Sequence, residues 1–140
     1  MLLVKTYLAK SPIHGLGVFA GEFIRKGTKI WRFVEGFDRC YSPKQFAKLP
    51  KAARDFIKQH GYRVDGEVLL TVDHDRHMNH SDDPNTDLHD GYALARCNIR
   101  KGTEITNNYR EFELTLCAAF LDRKPRRLKR AARRQRRARG

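Results

Sequence analysis

Short runs of alternating apolar and polar residues, each ending near a glycine or a proline, constrain the fold of this chain more than any other feature. The runs LLVKTYLAK (2–10), KIWRFV (29–34), EVLLTV (67–72) and YALARCNI (92–99) are rich in β-branched and aromatic residues. This pattern is typical of half-buried strands. Many short strands with few helices predict a β-rich α+β domain that is built from several small sheets.

Two stretches have the spacing of apolar residues that indicates a helix. The first, residues 43–60, is predicted to be one helix that is capped by Ser42, begins at Pro43 and is closed by Gly61. The second is EFELTLCAAFLD (111–122). Residues 73–91, between the two strand-rich regions, are predicted to be a polar loop.

The basic residues are concentrated at the C-terminus. Residues 123–140 hold 11 of the 29 Lys and Arg residues and none of the 16 Asp and Glu residues, so residues 1–122 carry a net charge of only +2. We predict a folded domain over 1–122 and a disordered tail over 123–140, because like charges repel one another. Such a tail can bind a phosphate backbone without sequence preference. The predicted contacts to nucleic acid are Arg126, Arg127, Lys129, Arg130, Arg133 and Arg134.

The cysteines and the apolar runs favour a cytoplasmic protein. Cys40, Cys97 and Cys117 are an odd number and contain no CxxC pair, which argues against a disulfide framework and a structural zinc site. The apolar runs are too short to cross a bilayer, and the N-terminus does not resemble a signal peptide. We therefore expect no membrane association. Nucleoid association, or action on host chromatin after delivery, are further expectations.

The segment RHMNHSDDPN (76–85) carries the densest polar chemistry of the chain. With His74 upstream, it places three histidines three residues apart, so a metal site or a metal-dependent nuclease centre has to be considered. His74, His77 and His80 would share a face only on a helix, and the Asn, Ser, Asp and Pro residues that follow are poor helix formers. A turn-rich surface loop without function is the simpler alternative. We predict no metal site.

Three segments, HGLGVFA (14–20), RHMNHSDDPN (76–85) and GTEITNNY (102–109), occur in this order. Together they resemble the signature of the SET-domain protein lysine methyltransferases, over roughly residues 3–112. The resemblance implies a SET-type fold, in which the last segment passes through a loop formed by the middle one in a knot-like arrangement. Asn85, Pro84 and Glu104 would serve that packing.

The resemblance also implies S-adenosylmethionine as the cofactor. Gly15 and Gly17 would allow the backbone to approach it closely, because a glycine has no Cβ. Asn79 and His80 would hold its amino-acid and adenine ends, and the His80 ring would fix the loop. The cofactor-binding residues that the resemblance implies are His14, Gly15, Leu16, Gly17, Arg76, Asn79, His80 and Tyr109.

Tyr109 matches the last tyrosine of the family signature and is the predicted catalytic residue. Asn107 and Phe112 are predicted to line the substrate channel. The chain departs from the family pattern at Asn108, where an acidic residue is usual, and at Asn107, where an aromatic residue is common. Zinc-binding flanking segments are absent from the sequence, so either residues 110–122 or a second subunit of a homodimer would close the channel.

The sequence thus predicts methyl transfer from S-adenosylmethionine to a lysine side chain of a protein substrate. The alternative is a catalytically weak protein that associates with nucleic acid through its basic tail and uses the domain as a scaffold. Cofactor binding distinguishes the two hypotheses, since a scaffold does not require it.

Overall fold

The computed structural model describes residues 1–64 and 66–110. Two helices, α1 (Pro43–Ala47) and α2 (Lys51–His60), and a 3₁₀ turn (His74–His77) accompany ten short strands. The strands are β1 (Thr6–Lys10), β2 (Leu16–Ala20), β3 (Lys29–Arg32), β4 (Arg39–Tyr41), β5 (Tyr62–Val64), β6 (Glu67–Leu70), β7 (Asn79–His80), β8 (Thr86–His89), β9 (Tyr92–Ala95) and β10 (Glu104–Asn107).

The described strands form three small sheets, which confirms the predicted β-rich α+β class. Their strand orders are β1-β2-β10-β7, β3-β9-β8 and β4-β6-β5. In the first sheet, β10 lies antiparallel to β2 and parallel to β7. This order brings the start, the middle and the end of the described chain side by side, and it positions the candidate site.

A single apolar cluster joins the sheets. Val18 of β2 and Ile105 of β10 are fully buried there, together with Trp31 of β3. Leu69 and Met78 extend the cluster toward the third sheet and toward the segment before β7. In β9 the buried residues alternate, as expected when one face of a strand packs inward. Consecutive residues are buried in β3 and β10, so both faces of these two strands are covered.

Residues 43–60 form two helices, so the prediction of one helix was wrong. Pro50 has no backbone N–H and disfavours a helical conformation at Leu49, and the chain leaves α1 at Lys48. Pro50 then precedes α2, and its carbonyl accepts a hydrogen bond from the Arg54 N–H at 3.1 Å. The predicted start is confirmed, because the Ser42 hydroxyl accepts a hydrogen bond from the backbone N–H of α1 at 3.2 Å.

Gly61 ends α2, but it does not do so through the left-handed conformation in which a glycine commonly ends a helix. Its backbone is extended, with φ −89° and ψ 165°, and its N–H donates to the Ile57 carbonyl at 2.6 Å. A Cβ at this position would lie 2.6 Å from that carbonyl oxygen and 3.0 Å from the carbonyl oxygen of Leu69. The helix end therefore needs a residue without a side chain because of close packing, not because of a left-handed conformation.

The turn sequence KGT occurs twice, at Lys26-Gly27-Thr28 and at Lys101-Gly102-Thr103. The two turns have the same conformation, since Gly27 and Gly102 both have a φ of 85°. This region strongly favours glycine.

The predicted polar loop 73–91 contains the strands β7 and β8. Thr86–His89 pairs with Tyr92–Ala95 as a hairpin. The prediction missed β8 because its residues, TDLH, carry little of the β-branched and aromatic signal.

Several predictions concern residues that lie outside the described ranges. They are the helix at 111–122, the domain boundary at 122, the basic tail and the complete knot-like threading. Within the described residues, no helix is long and apolar enough to cross a membrane.

Candidate functional site

The loop between β1 and β2 is held in one conformation by its own hydrogen bonds. The Ser11 N–H donates to the Gly15 carbonyl at 2.8 Å, and the Ser11 hydroxyl accepts from the N–H of Ile13 at 2.9 Å. Gly15 has a φ of 47°, where a side chain is disfavoured. The side chains of His14 and Leu16 are exposed on this loop, so its outer surface is open to a ligand.

The carboxylate of Glu104, at the start of β10, lies beneath this loop. The Ser11 hydroxyl lies 2.8 Å from Oε1 and 2.9 Å from Oε2 of Glu104. The Asn79 side chain donates from Nδ2 to Oε1 at 2.8 Å. The three side chains come from β10, the β1–β2 loop and β7, so one carboxylate connects three segments that are distant in the sequence.

Asn79 also binds the backbone of the glycine-containing loop directly. Its Nδ2 lies 3.1 Å from the His14 carbonyl and 3.2 Å from the Leu16 carbonyl. The residue is buried, with 7% of its surface exposed. Because the protein already occupies the Nδ2 donor, any contact between Asn79 and a cofactor falls to its other atoms.

The two predicted glycines differ in their surroundings. A Cβ at Gly15 would meet no atom within 4 Å, whereas a Cβ at Gly17 would lie on the Glu104 carboxylate, 2.8 Å from its Cδ. Gly15 therefore borders open space, and Gly17 borders a side chain of the protein itself.

Strand β10 is held on its other side by the residues of the motif NHSDDPN. The Ser81 N–H donates to the Asn107 carbonyl at 2.9 Å. The side chain of Asn85 donates to the Glu104 carbonyl at 2.8 Å and accepts from the Thr106 N–H at 2.9 Å. Asn85 thus satisfies the backbone of β10 as a neighbouring strand would, which supports its predicted structural role.

Pro84 lies beside Asn85 in the same loop. Its carbonyl accepts from the Arg96 guanidinium at 3.3 Å, and the same guanidinium forms an ion pair with Asp83 at 3.1 Å. Arg96 is exposed, so the ion pair itself adds little stability. The hydrogen bond to the Pro84 carbonyl nevertheless links the loop to Arg96, the residue that directly follows β9.

Tyr109, the predicted catalytic residue, lies two residues after the end of β10. Its hydroxyl donates to the Met78 carbonyl at 2.7 Å, and its backbone N–H donates to Nδ1 of His80 at 3.1 Å. Burial, and then the charge of Asp75, raise the pKa of Tyr109, so the phenol is neutral at physiological pH. The neutral hydroxyl donates its hydrogen bond to the Met78 carbonyl, so the lone pairs of its oxygen are available to accept one.

Tyr62 of β5 lies against Tyr109 and was not predicted as a site residue. The ring centroids are 5.9 Å apart and nearly perpendicular, a favourable geometry for aromatic rings. The Tyr62 hydroxyl contacts the side chain of Asn107, and burial raises the pKa of Tyr62 well above its usual value. No local pattern identifies Tyr62, because it reaches Tyr109 only through the packing of β5 beside β6.

Asn107, a predicted channel residue, is 3% exposed. Its Oδ1 is buried and has no hydrogen-bond partner among the described residues, which is unusual for a polar atom in a protein interior. The side chain of Asn107 lies beside the hydroxyl of Tyr62. Phe112, the second predicted channel residue, lies outside the described ranges.

Asp75 is the one buried acid of the 3₁₀ turn before β7. It is 1% exposed, and its Oδ2 has no hydrogen-bond partner among the described residues. Burial, and then the neighbouring Asp73, raise its pKa from 3.8 to about 7. Thr71 lies close by and opposes this shift, but its hydroxyl forms no hydrogen bond of normal geometry, so burial dominates.

The three histidines point to different partners. His74 Nδ1 lies 3.2 Å from the Thr6 hydroxyl, His77 packs against the ring of His60, and His80 Nε2 lies 2.9 Å from Asp82. Within residues 1–64 and 66–110, no three His, Cys, Asp or Glu side chains converge as metal ligands would. The His80 ring binds the backbone of Tyr109, in keeping with its predicted role in fixing the loop.

Arg76, a predicted cofactor-binding residue, is the third residue of the 3₁₀ turn His74–His77. Its guanidinium donates to the Val72 carbonyl at 2.9 Å and lies 5.5 Å from the centre of the Phe56 ring. Its Nε is buried without a hydrogen-bond partner among the described residues. The contacts of Arg76 are thus with the protein, while its role toward a cofactor stays a prediction.

Comparison with known proteins gives a consistent assignment. The family model of the SET domain matches residues 15–110. A Plasmodium falciparum protein assigned as a histone methyltransferase has a similar structure, with a TM-score of 0.55, 26% identity and coverage of 77% of this chain and 95% of that chain. No curated protein sequence shows significant similarity to the chain.

A chain of the polycomb repressive complex 2 from Chaetomium thermophilum is similar at a TM-score of 0.57 and 20% identity. The match covers 76% of this chain but 15% of that much longer one, and at this identity it shows the fold alone. The SET domain match includes Gly15, Asn79, Glu104 and Tyr109 and spans well over half of the sequence. This chain therefore belongs to the SET domain family.

Proposed function

We propose that the protein transfers a methyl group from S-adenosylmethionine to a lysine side chain of a protein substrate. The observation that carries this proposal is that three segments meet around β10: the glycine-containing loop, the pair Asn79 and His80, and Tyr109. The first and last of these segments are far apart in the sequence, since His14 and Tyr109 are separated by 95 positions. The structural similarity to the Plasmodium falciparum protein supports the proposal.

The residues around β10 fit such a cofactor. The backbone at Gly15 borders open space, and the exposed side chains of His14 and Leu16 lie beside it. The Oδ1 of Asn107, which pairs with His80 across β7 and β10, has no hydrogen-bond partner among the described residues. When bound, S-adenosylmethionine supplies an electrophilic methyl group on a positively charged sulfur.

Tyr109 is the residue that orients the target amine in this proposal. Because its hydroxyl proton is donated to the Met78 carbonyl, the oxygen can accept a hydrogen bond from the amine. A lysine with a pKa of about 10.4 is protonated at pH 7, and deprotonating it costs about 4 kcal/mol. Desolvation beside the aromatic rings of Tyr62 and Tyr109 lowers that cost, since burial disfavours the charged ammonium.

Cofactor binding is the direct test of the proposal. At a free S-adenosylmethionine concentration about 100 times its dissociation constant, binding stabilises the folded state by about 2.7 kcal/mol. For a domain of this size, the melting temperature should rise by roughly 10 °C. Calorimetry should give a single site per chain. A full-length protein whose melting temperature is unchanged by millimolar cofactor would refute the proposal.

The variant Tyr109→Phe separates binding from transfer. It keeps the ring against Tyr62 and removes one hydrogen bond, which costs about 1 kcal/mol of stability. Cofactor binding should persist, while transfer of labelled methyl to a panel of basic proteins that includes histone H3 should fall by about a hundredfold. Tyr7→Phe is the matched control, because Tyr7 is 41% exposed and Tyr109 is 40% exposed. Equal transfer by both variants would remove Tyr109 from its proposed role.

Nucleic-acid binding by the tail is a second candidate function, and it is compatible with the first. It is favoured by the 11 Lys and Arg residues of segment 123–140. Delivery of the enzyme to proteins that are bound to nucleic acid would follow from such a tail. A cytoplasmic or nucleoid-associated location is part of this proposal.

A further inference from the structure

The conformation of the glycine-containing loop depends on a side chain from the opposite end of the domain. Gly17 is buried in β2, and the Glu104 carboxylate lies where its side chain would be. A Cβ at position 17 would overlap Oε1 of Glu104 and lie 2.8 Å from its Cδ and 3.1 Å from the Cβ of Ser11. The space beside Gly17 therefore belongs to the protein.

The Glu104 carboxylate cannot move away without losing its partners. It accepts hydrogen bonds from the Ser11 hydroxyl and from Nδ2 of Asn79, each at 2.8 Å to Oε1. Ser11 in turn accepts from the backbone of Ile13, and the same Nδ2 of Asn79 lies 3.1 Å from the His14 carbonyl and 3.2 Å from the Leu16 carbonyl, so its two hydrogens are shared among three acceptors. Each of these contacts ends on the loop between β1 and β2.

We propose that Glu104 is the positioning residue of the cofactor loop, and that position 17 is a glycine because of this carboxylate and not because of the cofactor. The inference about the loop rests on the proposed function, while the pairing of Gly17 with Glu104 does not. Glu104 acts through Ser11 and Asn79, so that residues 11–16 are in the binding conformation before the ligand arrives. Such preorganisation improves affinity because less ordering remains to be done on binding.

A double-mutant cycle tests the pairing of the two residues. Gly17→Ala should lower the melting temperature sharply, because the new methyl group displaces the carboxylate. In a chain that also carries Glu104→Ala, the carboxylate is gone and only the Cβ of Ser11, at 3.1 Å, stays close to the new methyl group. There Gly17→Ala should lower the melting temperature by much less than it does in the wild type. Equal losses caused by Gly17→Ala in the two backgrounds would overturn the pairing.

Gly21→Ala is the matched control for this cycle. Gly21 follows the same strand, and a Cβ there would lie 2.9 Å from the Lys5 side chain and 3.0 Å from the Lys5 carbonyl oxygen. The substitution is also crowded, but none of the three atoms nearest to the added Cβ belongs to Glu104. Its cost should be the same with and without Glu104→Ala. A rescue of Gly21→Ala as well would mean that Glu104→Ala only loosens the sheet, and the pairing would be refuted.

Cofactor affinity tests the positioning role. Glu104→Gln keeps the volume of the side chain and Ser11→Ala removes the hydroxyl, and both variants should fold. Each should weaken S-adenosylmethionine binding by about tenfold, the effect of losing one charged hydrogen bond, while Gly21→Ala alone, whose nearest neighbours do not include Glu104, serves as the control for a loss of stability. Wild-type affinity in both variants would refute the positioning role. Failure of the wild type to bind would instead refute the proposed function and leave the thermal cycle as the test of the pairing.

Discussion

The buried carboxyl group of Asp75 should make the stability of this protein depend on pH in a predictable way. Its pKa is raised from 3.8 to about 7, first by burial and then by Asp73. The folded state therefore holds the proton more tightly than the unfolded chain does. As the pH rises from about 4 to about 7, ionisation works against the folded state, and the free energy of unfolding should fall.

The size of the effect follows from the shift. A difference of about three pKa units corresponds to about 4 kcal/mol, since each unit is about 1.36 kcal/mol. Because the side chain is 1% exposed, solvent screens this cost very little. The full penalty is present above pH 7 and disappears below pH 4. Between these limits the slope approaches about 1.4 kcal/mol per pH unit for one proton.

The variant Asp75→Asn removes the charge and keeps the shape. Relative to the wild type, it should be stabilised by up to about 4 kcal/mol at pH 8, and this gain should shrink toward zero at pH 4. Urea denaturation at pH 4.5, 6 and 8 measures the difference, provided that the m-values agree. Burial also lowers the pKa of His77, which acts in the opposite direction, but both proteins share that contribution and it cancels.

Asp90→Asn provides the control for this experiment. Asp90 lies at a turn with a φ of 48°, which asparagine tolerates, and its side chain is 87% exposed. Its effect on stability should stay within about 0.5 kcal/mol at every pH. A gain for Asp75→Asn that is the same at pH 4.5 and at pH 8 would refute the reasoning, because it would mean that Asp75 does not change its protonation state on unfolding in this range.

Two further predictions concern the end of α2 and the C-terminal tail. Gly61→Ala should lower the free energy of unfolding by about 1–3 kcal/mol, because the methyl group would meet the carbonyl oxygens of Ile57 and Leu69; an unchanged urea midpoint would contradict this. Deletion of residues 124–140 should leave cofactor binding intact. It should weaken DNA or RNA binding and flatten the dependence of that binding on salt, because it removes 10 of the 11 basic residues of the tail. A truncated protein that binds DNA as tightly as the intact chain would show that the tail only aids solubility.

The sequence by itself determined the features that depend on neighbouring residues. Alternating apolar residues predicted β1, β3, β6 and β9. The two KGT turns and the cap at Ser42 were visible because their hydrogen bonds join residues a few positions apart. The order of the three motifs indicated the SET domain family, which the family match confirms. Pro50 also indicated a break in the helix at residues 43–60. The prediction missed it because apolar residues keep a helical spacing on both sides of this proline.

Only the tertiary structure decided which distant side chains meet. Ser11 and Glu104 are 93 positions apart, and they are in contact because β10 inserts between β2 and β7. Tertiary packing brings Tyr62 into contact with Tyr109 and buries Asp75. Neither result could be predicted from the neighbouring residues in the sequence. The physical reason is that hydrogen bonds and pKa values depend on what surrounds a group in space. Sheet order, and not sequence spacing, sets those surroundings here.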